Sequence, residues 1–377
     1  MMKIFVVGIL LVIAAGIFLA KSQTRVNILP VPTPVRITQI TTPTQTDLQT
    51  QTIAENLDTP WAIAFLSDKS MLITERKGSI RRVNASGELE NNPIATITNA
   101  REIGEGGLLG ITLHPDFSSN PYIYLYYTYS NSDDDTLNRV VRMTYDNGTL
   151  SNETIIVNAI PGAANHNGGR IKFGPDSFLY IGTGDAQNPS QAQDTSTLGG
   201  KILRVTDEGK PAPDNAFGNP VFSYGHRNVQ GLAWNSDGTL WATEHGRSGA
   251  LSGLDELNLI QLGKNYGWPE IQGNETRSGM ETPYKNSGAQ TWAPAGAAFI
   301  GNSLFYGGLR GETLYEAIII DNDVKEIKEH FKGQLGRIRE VIAGFDGMLY
   351  ITTSNNDGRG NPHPADDKII RVNPQLL

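Results

Sequence analysis

Two residues nineteen positions apart have the types that proton chemistry needs: His166, in Asn165-His166-Asn167-Gly168-Gly169-Arg170, and Asp185, in Gly182-Thr183-Gly184-Asp185. A histidine that donates one ring nitrogen to a carboxylate is held in one tautomer, and its other nitrogen becomes a better base. The stretch between them sets strand formers on both sides of Gly174-Pro175-Asp176, a tight-turn signal. A hairpin there returns Asp185 to the edge that carries His166. The plainer alternative is a histidine that only bonds a loop, but Gly168 and Gly169 add room for something large to approach the backbone. Arg227, Arg337 and Arg339 are the second set of interest. Three guanidiniums facing one centre would bind a polyanion with several carboxylates. For Arg337 and Arg339 the plain alternative is an alternating strand with both side chains in solvent.

Such chemistry needs a rigid frame, and the composition points to short strands. The 377 residues include 41 glycines, 20 prolines and no cysteine, so turns are dense and neither disulfides nor thiolate metal sites are available. Residues 1–22 read as a signal peptide or an amino-terminal membrane anchor. Lys3 precedes an unbroken apolar run over residues 4–20, at the short end for a membrane span. No small-x-small cleavage pattern follows, so membrane anchoring stays open beside removal. Either predicts an exported chain, periplasmic or extracellular, or held on the outer face of the cytoplasmic membrane. Residues 23–51 are a tether rich in Pro, Thr and Gln, with too little apolar surface to offset ordering entropy. The net charge of −8 comes with no basic stripe, which argues against a nucleic-acid partner.

Residues 52–377 carry a unit that recurs six times. Each copy opens with a turn and an aromatic-aliphatic strand, as in Gly344-Phe345-Asp346-Gly347-Met348-Leu349-Tyr350. A short basic-apolar strand follows, as in Gly200-Lys201-Ile202-Leu203-Arg204-Val205. Marked by Leu72, Tyr124, Leu179, Leu240, Leu304 and Leu349, the copies are 45 to 64 residues apart, which suits blades of about four strands. The predicted fold is therefore all-β: a six-bladed β-propeller with four-stranded antiparallel blades. Amphipathic helices alternating with the strands, as an α/β fold requires, are lacking. Only Asp323 to Gly333 has weakly helical spacing, and its glutamates and lysines suit an exposed loop. In a propeller, loops at one end of the strands converge on a central channel, where several blades can contribute to one site.

The loops with unusual polar chemistry are Gly104-Glu105-Gly106-Gly107, the His166 to Asp185 segment, Tyr224-Gly225-His226-Arg227-Asn228, Thr243-Glu244-His245-Gly246-Arg247 and Gly336-Arg337-Ile338-Arg339. Their order, together with Pro60-Trp61, Thr74-Glu75-Arg76, His114-Pro115-Asp116-Phe117, Asp255-Glu256-Leu257-Asn258 and Asn265-Tyr266-Gly267-Trp268-Pro269, resembles the glucose/sorbosone dehydrogenase family. The resemblance runs from about Leu57 to Val372. It implies a six-bladed propeller that holds pyrroloquinoline quinone (PQQ) and a calcium ion at the channel mouth and oxidises aldose sugars at the anomeric carbon to lactones. In that resemblance His166 is the general base and Asp185 orients it. Arg227 lies near the quinone oxygen, Asn228 hydrogen-bonds the cofactor, and Arg337 and Arg339 pair with its carboxylates. The carbonyls of Gly246 and Arg247 fall where the family places calcium ligands, as suits a hard cation. A sugar substrate and an external electron acceptor are the implied partners.

Some positions depart from the family pattern. Arg310, in Gly307-Gly308-Leu309-Arg310, stands where many relatives carry lysine. Glu105, a substrate-side position, replaces the glutamine of the glucose dehydrogenases proper, and Arg247 replaces a common proline. Of the remaining histidines, His114 and His226 read as supports for their loops, His245 as a possible neighbour of the cofactor, and His330 and His363 as surface positions. Trp61, Trp234, Trp241, Trp268 and Trp292 read as blade packing. Asp255 and Glu256 could hold a second calcium or cap a strand. Two other readings stand beside the dehydrogenase. One is a calcium-dependent lactonase or esterase, which would want Asp, Asn and Glu side chains converging in the channel. The other is a non-catalytic propeller that binds a glycan or a partner.

Overall fold

The computed structural model describes residues 48–377. The expected leader, and the tether up to residue 47, lie outside the described residues. Twenty-four strands fold here into six antiparallel four-stranded sheets. Blade 1 holds β2 (Pro60–Phe65), β3 (Met71–Glu75), β4 (Ser79–Val83) and β5 (Ala95–Thr96). Blade 2 holds β6 (Leu108–Leu113), β7 (Tyr122–Ser130), β8 (Thr136–Asp146) and β9 (Thr149–Pro161). Blade 3 holds β10 (Ile171–Phe173), β11 (Leu179–Gly182), β12 (Lys201–Val205) and β13 (Val221–Tyr224). Blade 4 holds β14 (Val229–Trp234), β15 (Leu240–Glu244), β16 (Glu256–Ile260) and β17 (Lys285–Asn286). Blade 5 holds β18 (Pro294–Ile300), β19 (Ser303–Gly308), β20 (Thr313–Ile320) and β21 (Asp323–His330). Blade 6 holds β22 (Ile338–Ala343), β23 (Leu349–Thr353) and β24 (Ile369–Val372), and its outer strand is β1 (Thr50–Ala54), which pairs with β24. The two ends of the described chain thus close the ring together. Strand β1 begins at Thr50, so the last two residues assigned to the tether belong to the propeller.

All six repeat marks fall in the second strand of their blade, and each is buried. Side chains on both faces of these sheets pack against neighbouring blades, which is why Leu72, Leu179, Leu304 and Leu349 are fully enclosed. Truncating any of them to alanine should cost about 2–5 kcal/mol. The segment with weak helical spacing is a strand: β21 pairs with β20 from Ile320↔Asp323 to Leu314↔His330. The register slips between Ile318 and Ile319, leaving Lys325 as an extra residue, so Val324 and Ile327 reach the same apolar cluster three positions apart. A bulge had imitated the period of a helix. His330 is half-buried rather than at the surface, its Nε2 2.9 Å from Glu316 Oε2.

Similar bulges shape the channel. The innermost strands of blades 1, 4 and 6 each slip register near their first residues, at Pro60/Ala62, Val229/Gly231 and Ile338/Val341. The slips carry Trp61, Gln230 and Arg339, which meet: Arg339 donates to Gln230 Oε1 at 3.1 Å and its guanidinium lies 5.7 Å from the Trp61 ring. Neither Arg337 nor Arg339 follows the solvated alternation, because both are buried.

Candidate active site

The sites of blades 3, 4, 5 and 6 open into one cavity of about 410 Å³ at the end of the channel. Blade 3 forms the hairpin expected from its turn signal, with Ile171 opposite Ile181 and Phe173 opposite Leu179. Its closure sets His166 Nδ1 2.7 Å from Asp185 Oδ1. Asp185 has no solvent exposure, and its oxygens also accept from the Gln187 amide and from Trp268 Nε1, both at 2.9 Å. Three donors hold this carboxylate in place. Arg227 Nη2 lies 2.8 Å from His166 Nε2, so Nε2 is the acceptor and Nδ1 carries the hydrogen. That is the tautomer a general base requires.

Gly168 fits only as glycine. Its φ is +65°, and a Cβ there would lie 2.4 Å from the Gly182 carbonyl oxygen. The glycine pair allows the His166 loop to lie flat on the hairpin rather than leaving space for a ligand.

Arg227 is buried and is pushed below the usual arginine range by that burial, against the pull of Asp185, Glu244 and Glu105. Its amide is gripped by Glu244 Oε1, and its guanidinium also donates to Ser248 Oγ at 2.6 Å. Arg337 is bonded by Asp357 at 2.9 Å and donates to the Leu309 carbonyl at 3.1 Å. Burial pushes Arg339 down to about 10. Burial raises the Asp357 carboxyl, but Arg337 and Arg339 outweigh it and hold it below its usual range. Asp357 was not picked out in the sequence; its only signal is two arginines, one just before and one within the adjacent strand β22, that need a buried counter-charge.

Arg310 and Glu105 also line the cavity. Glu105 Oε2 accepts the His166 amide at 3.0 Å, and its other oxygen pairs with Arg359. Burial works to raise its pKa, but Arg359 and the His166 amide prevail and hold it at about 2. Arg359 was likewise missed, since nothing in its local pattern signals a reach to another blade. Trp268, expected in blade packing, instead bonds Asp185 and lies 5.3 Å under the Arg227 guanidinium.

The residues present fit a polyanion and a hard cation. Arg227, Arg247, Arg310, Arg337 and Arg339 line the cavity, against the carboxylates Glu105 and Asp255, while Arg359 at its edge is taken up by Glu105 and Asn165. His245 Nε2 and Arg247 Nε in the wall are buried without a hydrogen-bond partner. Burial lowers His245 to about 3, so it is neutral there. Asn228 lies just behind, fully buried; its Oδ1 accepts from the Gly168 amide at 2.9 Å while its Nδ2 has no partner. Gly246 and Arg247 have their amides tied back, to Asp255 Oδ1 and the Gly253 carbonyl, both at 2.8 Å. Because a trans peptide sets its carbonyl opposite the next amide, the Gly246 oxygen points away from Gly253. Asp255 spends its other oxygen on the Trp292 and Ala293 amides, so its work is to hold this loop. The bridge between Arg247 and Gly253 gives the loop the rigidity that a proline would have supplied.

The fold and site together define a six-bladed propeller that sets a histidine–carboxylate pair against buried arginines in one cavity. The family model described as Glucose / Sorbosone dehydrogenase matches residues 57–370, and the chain belongs to that family. It is 33% identical over 341 residues to the aldose sugar dehydrogenase YliI of Escherichia coli, covering 82% of this chain and 90% of that one. Quinoprotein glucose dehydrogenase B of Acinetobacter calcoaceticus is 35% identical over 263 residues, 60% of this chain and 53% of its own. The PQQ-bound aldose sugar dehydrogenase of Streptomyces coelicolor superposes with a TM-score of 0.79 at 40% identity, covering 85% of this chain and 96% of that one. Sugar dehydrogenation is accordingly the function that family membership supports.

Proposed function

We propose that this protein is a PQQ- and calcium-dependent aldose dehydrogenase that oxidises a sugar at its anomeric carbon to the lactone, with His166 as general base. The observation that carries the reading is the His166–Asp185 pair, 2.7 Å apart, with its basic nitrogen turned toward an arginine-lined cavity. When bound, PQQ supplies the hydride acceptor and calcium supplies Lewis-acid polarisation.

The chain's own residues do the rest. His166 Nε2 takes the proton of the anomeric hydroxyl as the C1 hydrogen leaves with its electron pair. Asp185 stabilises the imidazolium that forms, and general-base action of this kind contributes about 10²–10⁴ in rate. In the structure Arg227 donates to the same lone pair. A sugar hydroxyl reaching Nε2 replaces that contact and leaves Arg227 free to stabilise negative charge developing in the transition state. Arg337 and Arg339, preset by Asp357, would hold cofactor carboxylates together with Arg310, and Asn228 and His245 would offer their unpaired nitrogens. The carbonyls of Gly246 and Arg247 would bind the calcium. Glu105 would border the sugar. An external acceptor must then take the two electrons, and the apolar run at residues 4–20 supports a site of action outside the cytoplasm.

The lactonase reading is the weaker one, because the two carboxylates lining the cavity are already bonded, Glu105 to Arg359 and Asp255 to three amides. The non-catalytic reading gives no reason for a fully hydrogen-bonded base. The test is to add calcium and PQQ to purified apo-protein and follow sugar-dependent dye reduction. Activity that needs both additions is the expected result; ester or lactone hydrolysis with calcium alone would replace this reading.

A further inference from the structure

His166 is held in an uncommon main-chain conformation. Its φ is +60°, in the left-handed region, which costs about 1–2 kcal/mol for an L-residue unless its surroundings hold it there. The Ala186 amide bonds the His166 carbonyl at 3.1 Å, and Glu105 Oε2 takes the His166 amide at 3.0 Å. Glu105 comes from the turn before blade 2, which lies flush on the loop before His166. Its own amide bonds the Ala164 carbonyl at 2.8 Å, and a Cβ on Gly104 would come within 2.0 Å of that oxygen.

Across the mouth, Arg359 reaches in from the loop after β23 in blade 6. One guanidinium nitrogen pairs with Glu105 Oε1 and another donates to Asn165 Oδ1 at 2.8 Å. Arg359 is anchored in turn: its amide bonds Asp357 Oδ1 at 2.9 Å, on the carboxylate whose other oxygen holds Arg337. A single side chain therefore ties the carboxylate and the amide on either side of His166 to the support of the arginine pair.

We propose that Arg359 is a positioning residue for His166, acting through Glu105 and Asn165 to hold the main chain of the base in its left-handed conformation. The proposal rests on the reading of His166 as the base. The Arg359 side chain is 53% exposed, and an ion pair this open contributes at most about 1 kcal/mol to stability. Its loss leaves the propeller folded. A shift of the base of about 1 Å, by contrast, costs up to about a hundredfold in rate.

Arg359→Ala should lower kcat about tenfold with little change in cofactor affinity. Arg359→Lys keeps the charge but loses the second arm, and should recover part of the rate. Because the effect passes through Glu105, Arg359→Ala should add little in a Glu105→Ala background, as a double-mutant cycle reads directly. In apo-protein, amide exchange of residues 163–168 should quicken at least threefold in Arg359→Ala, with a thermal midpoint within about 2 °C of the parent.

A parent that is active with calcium, PQQ and sugar, beside an Arg359→Ala variant within twofold of it, overturns the proposal. So do fully additive effects of the two alanine substitutions, or unchanged exchange over residues 163–168. A parent with no sugar oxidation defeats the functional reading instead, and the exchange measurement then still decides whether Arg359 holds the loop.

Discussion

Two histidines in neighbouring loops, His166 and His226, are wired almost alike. Each sets Nδ1 against a buried carboxylate, Asp185 at 2.7 Å and Glu244 at 2.8 Å. Each sets Nε2 2.8 Å from a side-chain partner, Arg227 Nη2 in one case and Ser223 Oγ in the other. On paper the second, a serine, a histidine and a glutamate, has the members of a hydrolytic triad. The difference is access. His226 has no solvent exposure and stacks on Tyr266 with ring centroids 4.7 Å apart, whereas His166 borders the open cavity. Bonding pattern decides what a group is able to do; burial decides whether a substrate ever meets it. The sealed cluster also serves the open one, because Glu244 uses its second oxygen to grip the Arg227 amide.

The largest expected effect is the sharpest way to break this comparison. His166→Ala should lose at least a hundredfold in kcat while cofactor binding, followed by absorbance titration, stays within twofold of the parent. His226→Ala should instead lose about 2–4 kcal/mol of stability in chemical denaturation, since a buried carboxylate is left short of a partner. Its turnover per folded molecule should stay within about tenfold of the parent. Reversed results would mean that the sealed cluster carries the chemistry.

A smaller effect comes from the brace behind the open pair. Trp268→Phe keeps the ring beside Arg227 but removes the hydrogen bond to Asp185 Oδ2. Two donors to Asp185 remain, so steady-state kcat should fall only about three- to tenfold. A loss as large as that of His166→Ala would give Trp268 a direct part in the reaction.

The smallest effect is on stability and concerns Glu105, a carboxylate grip on the His166 amide where the His226 amide bonds the Gly200 carbonyl instead. Its folded pKa, about 2, lies below the ordinary 4.5. Its contribution is therefore fully present above about pH 4.5 and is lost as pH falls toward 2. Glu105→Gln should lower the thermal midpoint of apo-protein at pH 6, and the gap should close as pH falls from 5 to 2. A gap that widened in acid would contradict the ion pair with Arg359.

Much of this was legible in the sequence. Six recurring strands are a local signal, set by alternation and turn residues, and they gave the propeller and its second strands. The Gly174-Pro175-Asp176 turn is equally local, and it brought His166 to Asp185. The outer strand Asp323–His330 was misjudged because a bulge at Lys325 breaks the period of two, and a bulge shows only against a partner strand. Trp268, Asp357 and Arg359 were missed for a related reason. Trp268 belongs to a blade 4 loop but braces a blade 3 carboxylate, 83 positions away in the chain. Arg359 bonds Glu105 across 254 positions. Which side chains occupy the axis was also settled only by closure of the ring, because bulges in three different blades turn Trp61, Gln230 and Arg339 toward one another. By itself, then, the sequence determined the blades and the His166–Asp185 pair, whose causes lie within one hairpin. The tertiary structure alone decided what grips that histidine and what loads the cavity with charge, since those contacts join residues that no local period relates.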